Sequence, residues 1–311
     1  MHAELAIGLH LAGDGSVIAR GALAVPPYWC RWDGATLWIV GSAACPVGED
    51  DITIDLQVGG GVTAMVRNVA ATLVYAARGE GTRLTTRLYV ASGATLTWKP
   101  EPVIVTARAR HRATIVADVQ TGGALVADEV VVFGRSEEAA GRYVSVTDLR
   151  RDGMPVCLSS FDTATPGWSG PGGTAGAKVV GTRLVVGPSD AGDDERATPV
   201  DASTVVLRPE GGGTLATTLA PDPERARAQL DAALTGAAPS AAVPPPARST
   251  RWTGGTVPAD HHRSNGSIGS GARPALAWAA EETNRMPRSA PNRSTAASWV
   301  GPLRIEDRDY G

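Results

Sequence analysis

Three segments of this chain repeat one short pattern: an apolar strand, a glycine turn and a second apolar strand. They are Leu56-Gln57-Val58-Gly59-Gly60-Gly61-Val62, Leu88-Tyr89-Val90-Ala91-Ser92-Gly93-Ala94 and Asp118-Val119-Gln120-Thr121-Gly122-Gly123-Ala124, and their valines return about every 30 residues. Glycine suits these turns because it reaches positive φ without a Cβ clash. A recurring unit of this length implies stacked β coils rather than a sandwich, because each coil buries its apolar face against its neighbours.

The strands carry the matching pattern. In Asp51-Ile52-Thr53-Ile54-Asp55-Leu56-Gln57-Val58 the apolar residues fall at every second position, which gives an extended strand one apolar and one polar face. Short β-type runs punctuated by Gly and Pro continue from Glu4 to about Leu219. The predicted class is therefore all-β, a stacked β-helix-like body. A Gly-, Pro-, Ser- and Thr-rich connection is expected from Asp162 to Asp194, interrupted by one strand over Lys178–Val186. One helix is predicted over Pro223–Leu234, with Asp222 as N-cap, Pro223 at the first helical position and Gly236 just beyond the end. Its apolar face is Ala226, Leu230, Ala233 and Leu234. The pattern stops near Pro239, so the expected organisation is a β domain over residues 1–238 and a low-complexity, disordered tail over residues 239–311.

Charge and cysteine content narrow the function. The net charge of -3 lacks the basic excess that neutralising phosphates requires, so nucleic acid is not expected as a partner. The first residues lack a basic region followed by a long apolar run, so neither export nor a membrane span is expected. Cys30, Cys45 and Cys157 are odd in number, far apart and without metal-finger spacing, which fits a reduced, cytoplasmic compartment. Each reads as a small apolar side chain or, alternatively, part of a soft metal site.

Two catalytic motifs fail on inspection. Gly172-Gly173-Thr174-Ala175-Gly176-Ala177-Lys178-Val179 lacks the second glycine and the hydroxyl of a phosphate loop, and Gly167-Trp168-Ser169-Gly170-Pro171 lacks the last glycine of a nucleophile elbow. Asp50, Asp51 and Asp55 gather carboxylates at the start of a strand, where they either cap a turn or contact a cation weakly. In Arg108-Ala109-Arg110-His111-Arg112 the positive charges would repel a metal ion, so His111 is expected on a solvated strand edge whose basic neighbours, Arg108 and Arg110, meet an acidic partner. Arg135 beside Gly134 is placed to clamp a carboxylate bidentately, within the chain or across to a partner.

The most distinctive stretch is Trp98-Lys99-Pro100-Glu101-Pro102-Val103-Ile104, where two prolines flank one acid and impose a rigid extended corner. It resembles a signature of the urease accessory protein UreD (UreH) family. Asp128-Glu129-Val130-Val131-Val132-Phe133-Gly134-Arg135 is similar to that family's acidic strand ending in Gly-Arg, and Arg151-Asp152-Gly153-Met154-Pro155 to the hairpin after it. Looser matches extend the resemblance over roughly residues 15–236.

The resemblance implies a non-enzymatic, β-helical scaffold and metallochaperone. With accessory proteins of the UreF and UreG families it would dock on apo-urease and assist nickel insertion, holding no tightly bound cofactor and nickel only in transit. On that expectation Asp50, Asp51, Glu101, Asp128 and Glu129 line a weak, oxygen-rich path for a divalent cation. Two rival readings remain: a protein-binding β module that recruits through its tail, and a carbohydrate-active β-helix enzyme pairing Asp128 with Asp118 or Glu101.

Overall fold

A computed structural model describes residues 1–21, 23–77, 79–187 and 197–233. The predicted tail and Leu234 lie outside the described residues. Strand β1 (His2–Leu11) pairs antiparallel with β2 (Val17–Gly21), and β3 (Ala24–Val25), β4 (Tyr28–Trp32) and β5 (Thr36–Gly41) form an antiparallel meander. From there the chain coils. β6 (Asp51–Val58) lies parallel to β1, β7 (Thr63–Asn68) lies parallel to β5, and β8 (Thr72–Val74) extends that second side. In the next coil β9 (Thr82–Val90) stacks on β6, β10 (Thr95–Trp98) on β7 and β11 (Val103–Val105) on β8. β12 (Arg110–Val119) then stacks on β9, β13 (Ala124–Phe133) on both β10 and β11, and β14 (Arg142–Arg151) on β12, all parallel.

The parallel stack ends in antiparallel strands. β15 (Met154–Asp162) folds back on β14 through Asp152-Gly153, both at positive φ, the two-residue turn that matches strand twist. β16 (Val179–Val186) pairs with β13 and β19 (Thr214–Ala220), while β17 (Ala197–Pro199) and β18 (Thr204–Leu207) complete that edge. Helix α1 (Pro223–Ala233) begins where Asp222 accepts the Arg225 N–H at 2.7 Å, and it buries Ala226 and Leu230. The body is therefore two sheets, β15-β14-β12-β9-β6-β1-β2 facing β17-β18-β19-β16-β13-β10-β7-β5-β4-β3. The expected all-β, stacked-coil class is the observed one.

The repeat sets the register of both sheets at once. The same offset separates Asp51 from Arg83 on one side and Thr63 from Thr95 on the other. A second, shorter offset separates Arg83 from Arg112 and Thr95 from Ala124. The glycine turns stack between them: Gly61, Gly93 and Gly122 all have positive φ, and Gly93 N–H donates to the Gly122 carbonyl at 3.0 Å. Inside, Ile54, Leu56 and Val58 continue into Leu88 and Val90, then Ala117 and Val119, facing Leu96, Trp98, Leu125 and Ala127. The corner Pro100-Glu101-Pro102 joins β10 to β11, where its missing N–H groups are tolerated.

Gly123 shows how closely the turns approach. A Cβ there would lie 2.8 Å from the Ala91 carbonyl oxygen and 3.0 Å from that of Gln120. Gly123→Ala is expected to destabilise the domain by about 1–3 kcal/mol through this backbone overlap, read as a lowered urea midpoint.

Candidate functional site

Strand alternation separates the two neighbouring acids of β13. Asp128 points out of the second sheet and lies beneath α1, whereas Glu129 points into the space between the sheets. Asp128 is buried opposite Arg183 on β16, which binds it bidentately at 2.6 and 2.8 Å and reaches Asp231 of α1 at 2.7 Å. Burial opposes the Arg183 charge, and the two carboxylates more than offset it, so its pKa is raised. Glu101 is held in the same manner, by Arg67 at 3.4 Å and by Arg227 of α1 at 3.0 Å. Arg227 also donates to the Pro100 carbonyl at 3.1 Å, so the rigid corner anchors the helix.

Among the described residues Glu129 has no such cation. Its carboxylate accepts hydrogen bonds from the Tyr143 hydroxyl at 2.8 Å and the Ser145 hydroxyl at 2.6 Å. Burial pushes its pKa up, against the pull of those two donors. It also lines two interior cavities. One, of about 60 Å³, is bounded by Tyr28, Ile54, Thr86, Trp98 and Ile115; the other, of about 10 Å³, by Ala127, Thr147, Thr182 and Leu184. Glu129 therefore stands between two small spaces whose walls are mostly apolar or hydroxyl-bearing, the larger being bordered also by Asn68, Glu101 and Asp128. The larger has room for more than one water.

The remaining acids are tied elsewhere. Asp50 is buried, accepts the Val47 N–H at 2.9 Å and pairs with the amino group of Met1 at 3.0 Å, so it both caps a turn and pairs with a charge. Asp51 is half exposed, 3.9 Å from His2. The structure thus brings Glu101, Asp128 and Glu129 to one region and leaves Asp51 on the outer face. The proposed glycosidase pair of Asp128 and Asp118 is not assembled. Asp118 lies on the outer face of the first sheet, where it accepts the Gly153 N–H, and Asp128 lies outside the second. All three thiols are free, and burial raises each pKa, to about 11 for Cys30 and about 12 for Cys45, so neutral solution holds them protonated.

Comparison with known proteins decides the family. The sequence model of the UreD urease accessory protein matches residues 2–253. The chain belongs to the UreD family. Urease accessory protein UreD of Streptomyces coelicolor is 34% identical over 204 residues, spanning 64% of this chain and 80% of that protein. UreD 1 of Saccharopolyspora erythraea is 31% identical over 246 residues, 75% of this chain and 94% of its own length. UreD of Streptomyces avermitilis is 32% identical over 220 residues, 70% and 87% of the two chains.

For this UreD-family chain the basic segment requires a correction. His111 was expected on a solvated strand edge, in contact with a partner, but it is buried and points inward. The strand's alternation has the opposite phase, putting Arg110 and Arg112 outside and His111 inside. Its Nδ1 lies 2.7 Å from the Thr82 hydroxyl, its ring stacks on Tyr143, and Nε2 has no partner among the described residues. Burial lowers its pKa to about 4, so it is neutral near pH 7. Arg108 and Arg110 are exposed, Arg110 donating to the Gly79 carbonyl. Arg135 clamps Glu138 at 2.9 and 3.2 Å, an internal bidentate pair that lowers the Glu138 pKa to about 2.

Sequence reasoning missed Thr82, Thr86, Tyr143, Ser145 and Thr147. The signal was present: Thr82, His111 and Tyr143 follow the same two offsets as the glycine turns. Carrying the repeat to the start of each strand would have stacked them.

Two outcomes test the site. Asp128→Ala removes the buried partner of Arg183 and leaves it only the exposed Asp231, so it should destabilise by about 3 kcal/mol, with Asp128→Asn intermediate in urea melts. For Glu129 the folded pKa lies above its ordinary value of 4.5, so as pH rises from there the unfolded chain releases its proton first. Wild type should therefore lose stability relative to Glu129→Gln as pH rises, and a gap independent of pH would contradict the assignment.

Proposed function

We propose that this chain is a non-catalytic accessory protein that assists nickel insertion into apo-urease, acting with proteins of the UreF and UreG families. The observation that carries the metal-handling part is Glu129, an inward carboxylate with no cationic partner among the described residues, placed between two interior cavities. A carboxylate whose pKa is raised by burial gains most from a cation, which replaces its proton as the source of compensation. The surrounding donors are the hydroxyls of Thr86, Tyr143, Ser145 and Thr147, hard oxygen atoms that bind a divalent cation weakly enough to release it. Delivery requires release.

The other acids first assigned to the path take supporting positions. Asp128 and Glu101 already hold Arg183, Arg67 and Arg227, so a cation there must compete with an arginine. In this reading they fix α1 against the wall of the cavity, and Glu129 is the residue that meets the cargo.

The test is urease maturation in cells carrying Glu129→Gln in place of the wild-type chain. Urease purified from them should contain severalfold less nickel while accessory-protein level and fold stay unchanged. Full nickel occupancy in a folded Glu129→Gln background would remove the interior path from the account.

A further inference from the structure

The outer face of the first sheet holds an arrangement that the interior does not explain. Register places its outward side chains in rows across β9, β12, β14 and β15. One row reads Arg83, Arg112, Val144, Asp162; the next Thr85, Thr114, Val146, Ser160; the third Arg87, Val116, Asp148, Leu158. Val116, Val144 and Val146 are partly exposed and contiguous, and Leu158 beside them is 75% exposed. Solvated faces of β-sheets normally carry polar residues at such positions. On one side of the valines the rows continue through the arginines onto β6, which sets Asp51 beside Arg83 and Asp55 beside Arg87; among the described residues Arg87 and Arg112 have no carboxylate within 4.0 Å, and Arg83 meets the exposed Glu80 at 3.6 Å. On the other flank stand Asp148 and Asp162, each already holding an arginine.

An apolar centre bordered by arginines that are unpaired or, at Arg83, held only by an exposed carboxylate is the composition of a protein interface. We propose that this face docks an acidic amphipathic segment of a partner protein, its apolar side chains on Val144, Val146 and Leu158 and its carboxylates on Arg83, Arg87 and Arg112. The proposal deepens the partner-binding part of the function proposed above. A long polyanion fits less well, because Asp51 and Asp55 repel it on one side of the arginines and Asp148 and Asp162 on the other, which leaves room only for a short acidic segment. The chain's own C-terminal segment is also excluded by charge: residues 241–311 carry nine arginines against six acids.

The experiment uses the full chain and a fluorescein-labelled dodecapeptide with leucine on one helical face and glutamate on the other, followed by fluorescence anisotropy at several salt concentrations. Binding should weaken with salt and fall by roughly tenfold or more in Arg83→Glu/Arg112→Glu. Val146→Asp should weaken it similarly, and Arg225→Glu on exposed α1 should leave it unchanged. Circular dichroism confirms the fold of each variant, and Arg83→Gln/Arg112→Gln serves if charge reversal unfolds the chain. Binding unaffected by both the arginine and the valine changes would overturn the proposal, as would a single-stranded oligonucleotide binding more tightly than the peptide. Because the readout is peptide affinity, its failure is separable from failure of the nickel reading, which is scored on metal content.

Discussion

Everything in this body depends on the parallel, in-register stacking of its coils. Because both sheets share the same two offsets, fixing one pair, such as Asp51 beside Arg83, fixes Thr63 beside Thr95 on the opposite side. Slipping one strand by a single residue would turn its apolar face outward along its whole length. The stacked glycine turns prevent that slip, since Gly61, Gly93 and Gly122 must align for the backbones to approach. Columns of inward side chains follow, and the chemistry of the interior depends on which residues occupy them.

Most columns are aliphatic, and the departure from that rule is local. Thr82, His111 and Tyr143 stack as one column and Thr86, Ile115 and Thr147 as another, facing Glu129 from across the interior. A buried carboxylate between apolar walls is unfavourable unless it is hydrogen-bonded or neutralised. Tyr143 and Ser145 supply the hydrogen bonds, and the raised pKa shows that they compensate only in part. The outer side of the same strand is treated differently: Asp128 is matched by Arg183, which ties β13, β16 and α1 together. Adjacent acids in the sequence thus meet opposite surroundings, one matched by an arginine and one by two hydroxyls.

How much of this was legible in the sequence follows from the range of each signal. The period, the glycine turns, the proline corner and the helix cap at Asp222 are local or strictly periodic, and they led to the stacked all-β body and the family. The site depended on phase and on long-range partners. His111 was misplaced because three arginines within five residues outweighed the alternation that turns it inward. Asp128 and Glu129 were named together, but their partners Arg183, Asp231, Tyr143 and Ser145 come from strands and a helix far along the chain, and no short-range pattern announces them.

The most direct measurement of the central claim is proton release on adding nickel to the purified chain in mildly acidic, weakly buffered solution. If the cation takes the place of the proton on Glu129, nickel binding should release protons in the wild type and lose that component in Glu129→Gln. Identical proton release from the two proteins, or nickel binding without any release, would contradict the account.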